Sequence, residues 1–338
     1  MNTQAMPLPL PIRFTEALIA RFSLPVLLIG GSVFVPLILI YYVTGALYPA
    51  PEVDVWGSIP LELTGTFLLA SIMPSYLLMC FVASARVNNS THAVIATLVE
   101  APQEAQLLRF RWARLWPLGV FPAMVFALTS NIPWPGLSFD PASNQFIISL
   151  TWVFSQFFLW SIIGLVLFFS IHESLALNSL AKKVRVDLYQ LDSLNGFGRA
   201  GLNSFLMLAG ALALTALQSI GQGFRFDTYI NVLVVAIPAA LILVPLPIWR
   251  IHRRMLTEKK SLLQEIAFEI QGASSSLEDA ALHRMNALLQ RREQIHRLRS
   301  WPMDLSIFSR FVLYVFIPPL AWVGAALMEV FLDSVLIG

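Results

Sequence analysis

"PLPIWRIHRRMLTEKKSLLQEIAFEI", residues Pro245–Ile270, is where an oily chain turns abruptly ionic. From Tyr229 to Trp249 there is no Asp, Glu, Lys or Arg; then Arg250, His252, Arg253, Arg254, Glu258, Lys259 and Lys260 follow in close succession. A helix that leaves lipid for water changes composition in this way. Residues Tyr229–Trp249 therefore read as a spanning helix that runs on into the cytosol.

Past the boundary, Ile251, Met255, Leu262, Ile266 and Ile270 recur at helical spacing and form one face. "QGASSS" (Gln271–Ser276) interrupts the run, and Ser275 stands three residues before Glu278 in the spacing of a capping box. A second helix follows, with Ala281, Met285, Leu288, Ile295 and Leu298 along one side. Trp301 then anchors the return to the bilayer, and Asp304 is placed to cap the next span. Residues 250–303 are thus expected to form a cytoplasmic antiparallel helical hairpin, with ten basic and six acidic residues. Two readings of its apolar seam stand side by side. One is a solvated arm whose charge serves orientation and anionic lipid; the other is a docking face for a cytosolic partner or a second subunit, through Met255, Leu262, Ile266, Ile270, Met285, Leu288 and Ile295.

The composition explains why a bilayer is needed at all. Soluble domains carry about 25% charged residues; this chain has 12%, with 57% hydrophobic residues and a mean hydropathy of +0.70. The net charge of +2 gives nucleic acid no electrostatic footing. A single cysteine, Cys80, excludes an internal disulfide or a cysteine-based metal cluster. Met1–Phe22 lacks the basic start and short apolar core of a cleavable signal.

A spanning helix needs about 20 mostly apolar residues. Seven stretches qualify: Leu24–Leu47, Leu63–Ala85, Trp116–Asn131, Phe146–Ile171, Ala200–Gly221, Tyr229–Trp249 and Ser306–Met328. The third is the shortest and carries Pro117 and Pro122. With the N-terminus inside, 21 of the 22 basic residues fall on the inner side and only Arg225 outside, as the positive-inside rule asks. The expected fold is therefore all-α and polytopic. Residues 1–23 form an interfacial helix, 24–249 hold six spans, 250–303 the hairpin, and 304–338 the seventh span, which ends outside. Trp56 and Trp134 mark the outer interface, and Trp112, Trp116, Trp249 and Trp301 the inner one; Trp160 and Trp322 fall deep in their spans and are expected to pack between helices.

Inner segments beside the spans carry their own signals. "LLRFRWARLW" (Leu107–Trp116) interleaves Arg109, Arg111 and Arg114 with aromatics and reads as an interfacial helix on anionic head groups. Gly196-Phe197-Gly198-Arg199-Ala200-Gly201 spells a dinucleotide fingerprint, but it opens a membrane helix, so its only use would be a lipid phosphate near Arg199.

Other residues suggest chemistry less directly. His172 and Glu173 close the fourth span as a proton-handling pair or as plain interface residues. Glu329 and Asp333, at i and i+4, could gather a cation or simply end the last helix. Pro36, Pro74, Pro122, Pro238, Pro245, Pro318 and Pro319 lie inside spans, where each removes a backbone donor. Small residues in Ala209–Ala216 and Ala321–Ala326 suit close helix contact.

Neither a zinc nor a serine hydrolase motif occurs, and no cofactor or metal is expected. All four lysines fall on the cytosolic side, which excludes a retinal Schiff base within the bundle. The leading expectation is a non-enzymatic membrane subunit of the inner (cytoplasmic) membrane, in a homo-oligomer or a membrane complex, docking a cytosolic partner through the hairpin. The alternative is a channel or transporter for a small ion or solute, with Pro74, Tyr76, Gln156, Pro318 and Pro319 along the route. A lipid-modifying enzyme using His172 and Glu173 is the third.

Overall fold

The computed structural model describes residues 26–47, 61–98, 115–130, 139–143, 146–182, 184, 188, 194–219, 226–243, 245–273, 279–298, 301 and 305–336. The N-terminal segment 1–23, the arginines 109, 111 and 114, the capping-box residues and Asp304 lie outside them. Among the described residues the chain is helical, without β-strands. Its helices are α1 (Val26–Val43), α2 (Leu61–Leu98), α3 (Pro117–Ser130), α4 (Phe146–Leu180), α5 (Asn195–Leu214), α6 (Phe226–Leu243), α7 (Leu246–Ala273), α8 (Asp279–Arg297) and α9 (Leu305–Leu336). A 3-10 turn, Thr215–Ser219, closes α5. Lipid offers the backbone no hydrogen bonds, so apolar runs of this length satisfy themselves as helices.

Six stretches are long and apolar enough to cross a bilayer. The chain is a multi-pass membrane protein. Its surface agrees: Leu27 on α1, Phe121 on α3, Leu241 on α6 and Leu320 on α9 are each more than 60% exposed, an arrangement that only an apolar solvent tolerates. The expected third span is the exception in length. At 14 residues α3 is about 21 Å long, against a hydrocarbon core of about 30 Å.

Helix directions follow from which ends touch. Along α1 and α2, Gly30 meets Met79 and Tyr41 meets Phe67, so the pair is antiparallel. Phe67 rests on Trp152 and Phe81 on Phe169, so α2 and α4 run parallel. Between them in sequence, α3 runs against α4, with Gly119 on Gly164 and Phe126 on Trp160. Tyr76 bonds Leu206, and the N-terminal end of α2 touches the 3-10 turn, which sets α5 against α2. Phe205 meets Phe311, and Trp322 reaches Leu212, which sets α9 alongside α5. With α6 running from the 3-10 turn toward α7, seven segments alternate in direction, and α7 and α8 project together from one end.

The helices depart from the expected spans in three places. Helix α4 continues past Ile171 to Leu180, and α2 past Ala85 to Leu98, so both helices outlast their apolar runs. The sixth span does not run unbroken through Trp249. It stops at Leu243, and α7 starts afresh at Leu246, because Pro245 and Pro247 lack the donors that a continuous helix needs. The amides of Ile248 and Trp249 both bond the Pro245 carbonyl and open the new helix. By contrast, α9 runs through Pro318 and Pro319 without interruption.

Candidate functional site: the hairpin and its seat on the bundle

The repeated leucines and isoleucines of α7 and α8 meet each other. Ile266, Leu288 and Ile295 are buried between the two helices, and Leu262, Leu263, Ile270 and Leu298 pack around them. At the base of the hairpin, Ile251 and Met255 are fully buried in a second cluster with Leu177, Leu180 and Ala181 of the α4 end and Leu194, Phe197 and Ala200 of the α5 start. Met255, Ile266, Leu288 and Ile295, four of the seven residues expected on the seam, are buried within the chain itself, against the hairpin's second helix or the α4–α5 corner. Leu262, Ile270 and Met285 are half-buried.

Two cations fasten the arrangement. The last carbonyls of a helix lack intrahelical partners and carry partial negative charge. At the end of α4, the Arg254 guanidinium donates to the carbonyls of Ala181, at 3.3 Å, and Lys182. At the end of α8, the Lys259 ammonium donates to the carbonyls of His296, at 2.8 Å, and Leu298, at 2.7 Å. One cap ties the hairpin to the bundle; the other ties its two helices together. At the base, His252 stacks on Trp301 with centroids 4.1 Å apart, and the Arg253 guanidinium lies 5.2 Å from the Trp249 ring centroid. The outward surface is mixed in charge with apolar points: Arg284, Arg291 and Arg292 are exposed, as are Glu258 and Glu265, Leu289 is exposed, and Phe268 is 78% exposed. Arg297 is occupied by Glu293 at 2.7 Å.

The residues expected along a transport route are brought into the bundle but mostly satisfied there. Pro74 is buried, the Tyr76 hydroxyl donates to the Leu206 carbonyl at 3.0 Å, and Gln156 is 3% exposed. Ser71, Ser75 and Ser155 each donate to a carbonyl of their own helix. Pro318 is buried, whereas Pro319 is exposed.

His172 is buried and Glu173 half-buried within α4, each engaging a neighbour; consecutive helical positions diverge by about 100°, so the two do not point at one ligand. Arg199 is exposed near the start of α5. Glu329 and Asp333 belong to α9, with side chains outside the described residues. Trp160 and Trp322 do pack between helices, Trp160 against Phe126 and Trp322 by donating to the Leu212 carbonyl.

Two contacts had no legible signal in the sequence. Arg254 is one basic residue among many, and its acceptors lie more than seventy residues upstream. Gly119 and Gly164, which let α3 and α4 touch backbone to backbone, are solitary glycines in apolar runs.

Comparison with protein-family models, with curated proteins and with solved structures gives no match for this chain.

Proposed function

We propose that the chain is a non-enzymatic subunit of a membrane assembly, crossing the bilayer seven times with its hairpin at the cytoplasmic face. The alternation of seven segments supports the count, with α3 as the short crossing. The distribution of basic residues along the sequence, with 21 of 22 falling on one side of the expected spans and Arg225 on the other, supports the orientation. On this reading, Arg199 and the arginines at 109, 111 and 114 meet anionic head groups, each at about 1 kcal/mol when close to the surface.

The observation that carries the functional reading is the hairpin's fixed seat. An arm that served only to place charge would need no buried Met255 and no cap from Arg254 onto another helix. A rigid mount holds the outward surface of α7 and α8 in one orientation, which is what a docking face requires. That surface, with Arg284, Arg291, Arg292 and the exposed Phe268 and Leu289, fits an acidic partner with an apolar point of contact.

The test reverses the charge without touching the packed seam. Arg284→Glu, Arg291→Glu and Arg292→Glu together are expected to dissociate a complex extracted from native membranes, leaving the chain folded and at wild-type abundance. A complex of unchanged size and yield would remove the docking role.

A further inference from the structure

The exposed surface changes character at the base of the hairpin. Along α6 the outward side chains stay aliphatic, with Ile237, Leu241 and Ile242 exposed. At the start of α7 they become Trp249, Arg253, Thr257 and Lys260. Followed backwards along α9, the exposed Leu313 and Val312 give way to Arg310 and Ser309, with the exposed Trp301 beyond them. The stack of His252 on Trp301, at 4.1 Å, holds these two changes of surface side by side. Tryptophan between aliphatic and cationic surface marks the level of lipid head groups.

Helix geometry turns the cations of this level away from the bundle. Ile248, Ile251 and Met255 are buried on the inner side of α7. Trp249 and Arg253, four residues apart, share the opposite side with Lys260, and all three are exposed. The Arg253 guanidinium lies 5.2 Å from the Trp249 ring centroid. Arg250, three residues before Arg253 and half-buried, flanks the pair.

The neighbouring cations are used by the fold itself. Arg254 caps α4, Lys259 caps α8, and Arg297 is held by Glu293. Among the described residues, neither Arg250 nor Arg253 pairs with a carboxylate or caps a helix. The chain has no Asp or Glu from Thr228 to Thr257, so this stretch supplies no acid of its own to neutralise them. A guanidinium presents parallel donors that match a phosphate, and an indole ring beside it suits the glycerol level of a lipid. A zwitterionic head group would bring its own ammonium toward the same arginines, so a lipid with net negative charge is favoured.

We propose that the outer side of the hairpin base binds one anionic phospholipid, its phosphate held by Arg253 and Arg250 and its glycerol backbone against Trp249. The inference needs only that the chain crosses a bilayer beside α7. It depends neither on the hairpin's partner nor on its compartment.

Native mass spectrometry of the full chain in detergent, titrated with phosphatidylglycerol or with phosphatidylcholine of the same acyl chains, tests it. The first phosphatidylglycerol is expected to bind about tenfold more tightly than phosphatidylcholine. Arg253→Gln and Arg250→Gln should each lower that preference about fivefold, and Arg291→Gln with Arg292→Gln, which removes as much charge from the far part of the hairpin, should leave it unchanged. Inorganic phosphate in excess should not displace the lipid, because the free ion gains nothing from Trp249. Equal binding of the two lipids would overturn the proposal. So would a preference that the Arg291 and Arg292 changes lower as much as the Arg250 and Arg253 changes do, or a lipid that inorganic phosphate displaces.

Discussion

Gly164→Leu separates α3 from α4 and lowers the stability of the folded chain by about 3 kcal/mol, a thermal midpoint lower by roughly 5–10 °C. A Cβ on Gly164 would stand 2.5 Å from the Gly119 carbonyl oxygen and 2.6 Å from the Ala123 Cβ. One obstacle is backbone and the other the root of a side chain, so no rotamer change relieves the clash and the helices themselves must part. Association in lipid rests on close packing more than on the hydrophobic effect, so losing this approach removes much of what holds α3 in place. Phe126 would also lift from Trp160, now at 4.6 Å. Gly31→Leu is the matched control: a Cβ there meets nothing within 4 Å, and the midpoint should not move. Thermal denaturation of the two variants in the same detergent gives the comparison, and equal midpoints would contradict the α3–α4 contact.

The second large effect is at the hairpin's seat. Met255→Ala leaves a hole among Leu177, Ala181, Phe197 and Ile251, at a cost of about 3 kcal/mol for a fully buried methionine. That cost falls on the docked state of the hairpin alone. The undocked fraction should therefore rise about 100-fold, since each 1.4 kcal/mol is a factor of ten.

A thiol beneath the hairpin reads this directly. Ala181 is fully buried there, so Ala181→Cys in a Cys80→Ser background should react slowly with a maleimide. Adding Met255→Ala should speed that reaction by up to about 100-fold; adding Met285→Ala, at a half-exposed position, should change it little. Equal rates in all three would mean that the hairpin is not seated on the α4–α5 corner.

How far the sequence could be read depends on the range of the forces involved. Long apolar runs announce helices in lipid because the solvent leaves the backbone no other choice, and Val26–Val43 and Phe146–Leu180 were legible for that reason. The hairpin was legible from the spacing of Ile266, Ile270, Leu288 and Ile295, which is a local property. What those residues touch is not local. A seam that closes on its own second helix and a seam that waits for a partner have the same periodicity, so the covering of Met255 by α4 and α5 could not be seen in advance.

The break between α6 and α7 was written in Pro245 and Pro247, but hydropathy alone carries the apolar run across both. Helices α2 and α4 outran their expected ends because the edge of an apolar run marks where lipid ends, not where helix ends.

The most direct measurement concerns the alternation of the seven segments. In a Cys80→Ser background, single cysteines are introduced at Leu115 before α3, at Ala142 before α4 and at Gln290 in the hairpin, all exposed positions. A membrane-impermeant maleimide, applied to intact cells and then to permeabilised ones, reports the compartment of each. Leu115→Cys and Gln290→Cys should share the inner compartment, and Ala142→Cys should label from outside. Labelling of Leu115→Cys and Gln290→Cys from opposite sides, or of Ala142→Cys from the same side as Gln290→Cys, would mean that α3 does not cross.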